Sequence, residues 1–225
     1  MSLPKGFVSG SIAAGLKSTG ALDLTIIQNV GPSNFATAVY TINKVVAAPV
    51  IWSRQVTKGQ QVSAVVLNSG GANACTGPQG FADTHKTAEL IAEKLSLSAG
   101  EVVVCSTGLI GELLPMEKIA KGISAIELGS DGFENSAKAI MTTDSVPKMA
   151  VVETSGAKFA GIAKGAGMLA PALATMLSVI MTDAVVDGEV AKETFARIVD
   201  QTFNRIDSDG CTSTNDTVLF MASGA

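Results

Sequence analysis

The apolar positions fall into short runs separated by clusters of small and polar residues. Between Phe7 and Thr41 the runs Leu22–Ile27 and Ala36–Ile42 are bounded by Gly10, Gly15, Gly20 and Gly31-Pro32, a pattern of short strands with tight turns. Gln61–Leu67 is a further strand. It opens into Asn68-Ser-Gly-Gly-Ala-Asn-Ala-Cys-Thr-Gly-Pro78, expected as a loop of small residues. Asp83 is placed to cap a helix over Thr84–Leu95, where Ala88, Ile91 and Leu95 share one face. The unit then repeats. Glu101–Ser106 is a strand, Thr107–Gly111 the turn, and Pro115 the first residue of a helix to Glu127. A third helix is expected over Asp131–Met141, and strands at Lys148–Thr154 and Lys158–Ala163.

The second half carries the sharpest signal. Lys164-Gly-Ala-Gly-Met-Leu-Ala-Pro-Ala-Leu-Ala174 is a loop of small residues that runs into Thr175 and the apolar strand Met176–Met181. Gly188–Ile206 has helical periodicity through Val190, Phe195, Ile198, Val199 and Phe203. A polar segment, Asp207–Asp216, precedes a strand at Thr217–Met221, and an end at Ala225 so soon afterwards reads as an incomplete C-terminus.

Composition narrows the classes. The 225 residues are 47% hydrophobic and 16% charged, with a net charge of −4, which fits an Ala/Gly/Val-rich α/β globule. It argues against disorder and against a nucleic-acid surface. No uninterrupted apolar stretch reaches the ~18 residues of a membrane span, and the N-terminus lacks a signal peptide's pattern. Three cysteines without a CxxC pair and one histidine fit a reducing cytoplasm and leave no Cys/His metal site. Cys75, Cys105 and Cys211 are expected as packed small hydrophobes, and His85 as structural.

A threonine hydroxyl needs a base beside it to act as a nucleophile. Cleavage between Ala174 and Thr175 would supply one, the new α-amino group, whose ordinary pKa of about 7.7–8.0 leaves part of it unprotonated near neutrality. The residues thus point to a self-processing enzyme. Gly165-Ala-Gly167-Met-Leu-Ala170 also fits a dinucleotide fingerprint with Asp183 and Asp187 downstream, which would make the chain a nucleotide-binding module. Pro171 argues against that, because it falls where the fingerprint helix should propagate. Thr107-Gly108 fits either a threonine-capped turn or an oxyanion hole. Lys164 fits either a solvated loop lysine or a substrate contact. Asp207, Asp209 and Gly210 lack the twelfth-position Glu of a calcium loop and read as a capped turn.

The glycine loop with Thr175, together with Cys105-Ser-Thr-Gly-Leu-Ile-Gly111, Ala139–Asp144, Asn68–Cys75 and Ser213-Thr-Asn-Asp-Thr217, resembles the bifunctional ornithine acetyltransferase/N-acetylglutamate synthase family of arginine biosynthesis over essentially the whole chain. The resemblance implies a layered α-β-β-α sandwich with two central sheets, of the N-terminal-nucleophile kind and not a Rossmann fold. Residues 1–225 would be one catalytic domain, split into an α chain (1–174) and the start of a β chain (175–225) in an assembly of two of each. Thr175 would be the nucleophile, Thr107 and Gly108 the oxyanion donors, and Thr142, Lys164 and Thr175 the substrate contacts. The implied reaction moves an acetyl group from N-acetylornithine to glutamate. It needs no metal or organic cofactor; acetyl-CoA as a second donor is left open. A self-processing aminopeptidase of related fold is the enzymatic alternative. Family members are longer, and part of their substrate site has no counterpart in these 225 residues.

Overall fold

A computed structural model describes residues 1–168 and 176–225; Ala174, Thr175 and the rest of 169–175 lie outside the described residues. In chain order the elements are β1 (Phe7–Ile12), β2 (Leu24–Asn29), β3 (Phe35–Tyr40), α1 (Ala48–Val56), β4 (Ala64–Gly71), α2 (Gly77–Leu95), β5 (Val102–Leu109), α3 (Met116–Ala125), α4 (Phe133–Ala139), β6 (Lys148–Thr154), β7 (Ala157–Lys164), β8 (Leu177–Thr182), α5 (Gly188–Gln201) and β9 (Thr217–Ala222). They build two sheets, β1-β2-β4-β5 and β3-β9-β8-β7-β6. The pairs β4/β5 and β8/β9 are parallel, and α2 and α5 are the crossovers that parallel neighbours require.

Strand alternation sorts the side chains into layers. Ile27, Val65, Leu67, Val103 and Cys105 of the first sheet face Ala160, Ile162, Leu177, Val179, Met181, Leu219 and Met221 of the second, and α4 closes one side with Phe133, Ala137 and Ile140. The opposite faces are covered by helices. Leu24, Ile26, Val66, Val102 and Val104 pack with Ile91, Ile119 and Ile123 of α2 and α3, while Val218 and Phe220 pack with Phe195 and Val199 of α5. This is the α-β-β-α order. Strands buried on both faces read as continuous apolar runs, such as Ala64-Val-Val-Leu67.

The differences from expectation have local causes. Asn68–Gly71 and Thr107–Leu109, read as loop and turn, continue β4 and β5. Their glycines serve a close backbone approach: a Cβ on Gly108 (φ +135°) would lie 2.5 Å from the Gly70 carbonyl carbon, and the β4/β5 register shifts there as a bulge. Helix α2 starts at Gly77-Pro78, so Asp83 is not a cap; its Oδ1 accepts from Gln79 Nε2 at 2.8 Å inside the helix. Pro115 is the residue before α3, and the third and last long helices are shorter than expected, at Phe133–Ala139 and Gly188–Gln201. Helix α1 was not anticipated. Its signals are Pro49 in the first turn and the buried series Val50, Ser53 and Val56. Cys105 is buried as expected, but Cys75 and Cys211 are exposed.

Candidate active site

Period-two alternation puts Thr107 in phase with Val103 and Cys105, and Lys164 in phase with Ala160 and Ile162. Both therefore point between the sheets, from the last turns of β5 and β7, and they meet. Lys164 Nζ donates to Thr107 Oγ1 at 3.0 Å, with the two residues only 1% and 2% exposed. Lys164 is thus a buried inter-sheet residue, and the solvated-loop alternative is excluded. Because Thr107 Oγ1 accepts from the ammonium, its hydroxyl hydrogen is turned to another acceptor. Gly108, next in the chain, lies on the cleft surface.

Above this pair opens a cleft of about 990 Å³. Thr107, Gly108, Gly70, Thr142, Thr143 and Gly167 line it, with Lys17 and Lys138 and no acidic side chain. The cleft holds these lysines already partnered, Lys138 with Glu134 at 2.7 Å and Lys17 Nζ with the Leu22 carbonyl at 2.9 Å. Its walls are fixed from beneath by carboxylates. Asp23, fully buried, accepts from the backbone N–H groups of Ala14, Leu16 and Lys17 at 2.7, 2.6 and 3.1 Å and so shapes the 13–21 loop. Asp144 accepts from the Thr142 and Gly165 N–H groups at 3.1 and 2.8 Å and pairs with Lys148. Burial pushes the Asp144 carboxyl upward, but these hydrogen bonds and Lys148 outweigh it and hold the group below the ordinary range. Asp209 Oδ2 accepts from the Met168 N–H at 2.6 Å, anchoring the start of the glycine loop.

A second polar group sits under the floor. Asp216 precedes β9, is fully buried, and accepts the Met176 N–H on Oδ1 at 2.8 Å. Its Oδ2 is buried without a hydrogen bond. Burial raises the Asp216 carboxyl to about 7, against the Met176 N–H, the Ser213 hydroxyl, Lys164 and the Thr41 hydroxyl, which favour its ionised form. Burial also lowers the Lys164 ammonium to about 8, opposed by Asp144 and Asp216. Neighbouring Asn215 ties the sheets together: Nδ2 donates to the carbonyls of Ala72 and Ser106 at 2.6 and 2.9 Å.

The structure thus brings together Thr107, Gly108, Thr142 and Lys164. Ala174 and Thr175 lie outside the described residues, although Met176, which follows Thr175, is held by Asp216. The carboxylates Asp23, Asp144 and Asp216 had no assigned role in the sequence, and Asp209 was read only as part of a capped turn. The available signal was an acidic residue at the threshold of an apolar strand, as in Asn215-Asp216 before Thr217–Ala222. The other candidates behave as ordinary structure. His85 stacks on Trp52 with centroids 5.0 Å apart, Asp207 and Asp209 cap their own turn, and Asp187 caps α5. After the glycine loop the next described element is a strand, not the helix of a dinucleotide fingerprint. No group of three or more His, Cys, Asp or Glu suited to a metal exists among the described residues. None of their helices is long and apolar enough to cross a membrane.

The chain is similar to known proteins in sequence and fold. The arginine biosynthesis bifunctional protein ArgJ of Streptomyces coelicolor is 56% identical over 223 residues, covering 98% of this chain and 58% of the relative. The chain thus spans little more than half of that relative's length. The crystal structure of Mycobacterium tuberculosis ornithine acetyltransferase complexed with ornithine superposes with a TM-score of 0.67 at 48% identity, over 75% of this chain and 92% of that one. An L-aminopeptidase D-Ala-esterase/amidase from Ochrobactrum anthropi, a variant of the Ntn hydrolase fold, matches 97% of this chain and 72% of its own at a TM-score of 0.52 and 14% identity, which speaks for the fold alone. With residues 8–225 matching the ArgJ family and the two-sheet sandwich in place, the chain belongs to the ArgJ family.

Proposed function

We propose that the protein cuts itself between Ala174 and Thr175 and then transfers an acetyl group from N-acetylornithine to glutamate through an acetyl-Thr175 intermediate. The freed α-amine of Thr175 takes the proton from its own hydroxyl, and Oγ1 attacks the acetyl carbonyl. The oxyanion is received by the Thr107 hydroxyl and the Gly108 N–H. Ornithine leaves as its amine is reprotonated, and the amine of glutamate attacks the acetyl-threonine to give N-acetylglutamate. Thr142 and Lys164 contact substrate. The reaction needs no metal or organic cofactor, and acetyl-CoA is a candidate second donor.

The observation that carries this reading is the buried Lys164–Thr107 bond at 3.0 Å, which polarises a hydroxyl donor on the edge of the cleft. The solved M. tuberculosis chain is covered to 92% by three quarters of this one, so it is the shorter of the two, as a divided polypeptide would be. In this reading residues 1–174 and 175 onward are the two halves of one catalytic unit, assembled as two α and two β chains in a reducing cytoplasm.

The test is intact-mass analysis of the complete protein. Two chains meeting at Ala174–Thr175 are expected, with Thr175→Ala remaining one chain. N-acetylornithine without glutamate should add one acetyl mass to the peptide beginning at Thr175, and glutamate should remove it. Acetyl on another residue, or discharge by water with no preference for glutamate, would overturn the assignment.

A further inference from the structure

Strand pairing ends just where the candidate site begins to need a rigid backbone. The last rung between β6 and β7 is Lys148 with Ala163, and the last between β7 and β8 is Lys164 with Leu177. Gly165, next in the chain and buried, therefore lies beyond the ladder on both sides. A buried backbone N–H and C=O need partners, and here two side chains supply them. The Gly165 N–H donates to Asp144 Oδ1 at 2.8 Å, and the Gly165 carbonyl accepts from Lys148 Nζ at 3.0 Å. Lys148 Nζ also pairs with Asp144 Oδ1, so the three residues close a ring of charge-assisted bonds. Asp144 Oδ2 accepts the Thr142 N–H at 3.1 Å and joins that residue to the same ring.

We propose that Asp144 and Lys148 are positioning residues, a clamp that holds Lys164 and Thr142 in one fixed relation for substrate. The inference rests on the reading of Lys164 and Thr142 as substrate contacts given above. The peptides on both sides of the Gly165 Cα are gripped, which fixes the backbone leaving Lys164 and so the root of the side chain that reaches Thr107. The Thr142 backbone is held by the other oxygen of the same carboxylate, so the two contacts move together or not at all. Neither Asp144 nor Lys148 lines the cleft, so both act through the residues they hold. The Asp144 side chain is 1% exposed and works from inside, whereas that of Lys148 is 45% exposed and reaches in from the edge strand β6.

The two residues are tested together in the complete protein. Lys148→Met alone would leave the Asp144 carboxylate buried and unpaired, whereas Asp144→Asn with Lys148→Met strands no charge. Burial lowers the proton affinity of the Lys164 ammonium, Asp144 raises it and Lys148 lowers it; removing both residues offsets their effects in part and isolates geometry.

The double variant should lower kcat/KM about 10²-fold, the scale of a misplacement of roughly 1 Å. Lys148→Arg, which keeps the charge and a donor for the Gly165 carbonyl, should stay close to the parent. Lys164→Met is measured beside them. A drop in Lys164→Met with the double variant at the parent's value overturns the clamp and leaves the substrate contact standing. Lys164→Met at the parent's value overturns the contact, and the clamp with it. A loss in Lys148→Arg equal to that of the double variant also overturns the clamp, since the pair is intact there. So does a lowered melting temperature with kcat/KM unmoved, which makes the pair structural only. Intact mass reports the cut: variants that stay uncut with unchanged melting temperatures overturn the clamp, because the pair then serves cleavage. If the double variant does not fold, Lys148→Ala decides, since it admits water to Asp144 but releases the Gly165 carbonyl. A lowered kcat/KM there supports the clamp, and an unmoved one overturns it.

Discussion

Thr107 shows how one side chain is prepared by its neighbours. As a threonine after a buried strand it could have been a plain cap. The bond from Lys164 Nζ occupies the oxygen and leaves the hydroxyl hydrogen to face another acceptor, which supports the oxyanion role proposed for it. An oxyanion donor acts mainly in the transition state, so Thr107→Ala should lower kcat about 10²–10³-fold with KM nearly unchanged. Steady-state kinetics on the complete protein check this, and a change confined to KM would reassign Thr107 to ground-state binding. Thr107, Gly108, Thr142 and Lys164 were legible in the sequence through the resemblance; the alternation of the strands now shows why Thr107 and Lys164 meet. The acids that hold them were not legible. Asp144 and Asp216 act through backbone N–H groups distant in sequence, and no local spacing announces a bond from Gly165 to Asp144 or from Met176 to Asp216.

At the scale of elements, strand positions could be read because apolar runs between turn residues leave few other solutions. What failed was the meaning of glycine. Gly70, Gly71 and Gly108 suggested loops, yet they lie in paired strands where a Cβ would clash, on Gly108 with the β4 backbone, on Gly70 with the Leu16 backbone and on Gly71 with the Leu114 side chain. Residues 213–217 illustrate the same limit. Residues up to Asp216 were read only as a polar segment before a strand, whereas Asn215 is buried and joins Ser106 of β5 to the residue after β4. Asn215→Ala would leave two buried carbonyls without donors, and a cost of roughly 2–4 kcal/mol is expected, read from the denaturant midpoint. A loss below ~0.5 kcal/mol would show that the Asn215 bonds add little to the hold between the two sheets.

Across the whole molecule, the cleft lies where the sandwich is open, between the ends of β5 and β7 and under the 13–21 and 142–143 loops. Helices cover the far faces, so loops can line the opening while rigid strands fix Thr107 and Lys164. The proposed cut divides this body unevenly. Within these 225 residues, the N-terminal piece would have 174 residues and the C-terminal piece 51, by subtraction. The two should nonetheless travel as one particle in native size exclusion and native mass spectrometry, separating only in denaturant. Separation under native conditions would contradict the strand order.

That order, β3-β9-β8-β7-β6, has a consequence for the protein's history. Strands β8 and β9 lie on the C-terminal side of the proposed cut, but they are flanked by β3 on one side and β7 on the other, both from the N-terminal side. Before the cut the sheet forms within one chain, at a rate indifferent to dilution. After it, the same sheet is an interface between two molecules. Once unfolded it re-forms only by bimolecular encounter, with a yield that falls as the solution is diluted. If the proposed cut occurs, folding comes first and cleavage second, and the cut protein would hold an arrangement that its separated pieces recover only at sufficient concentration.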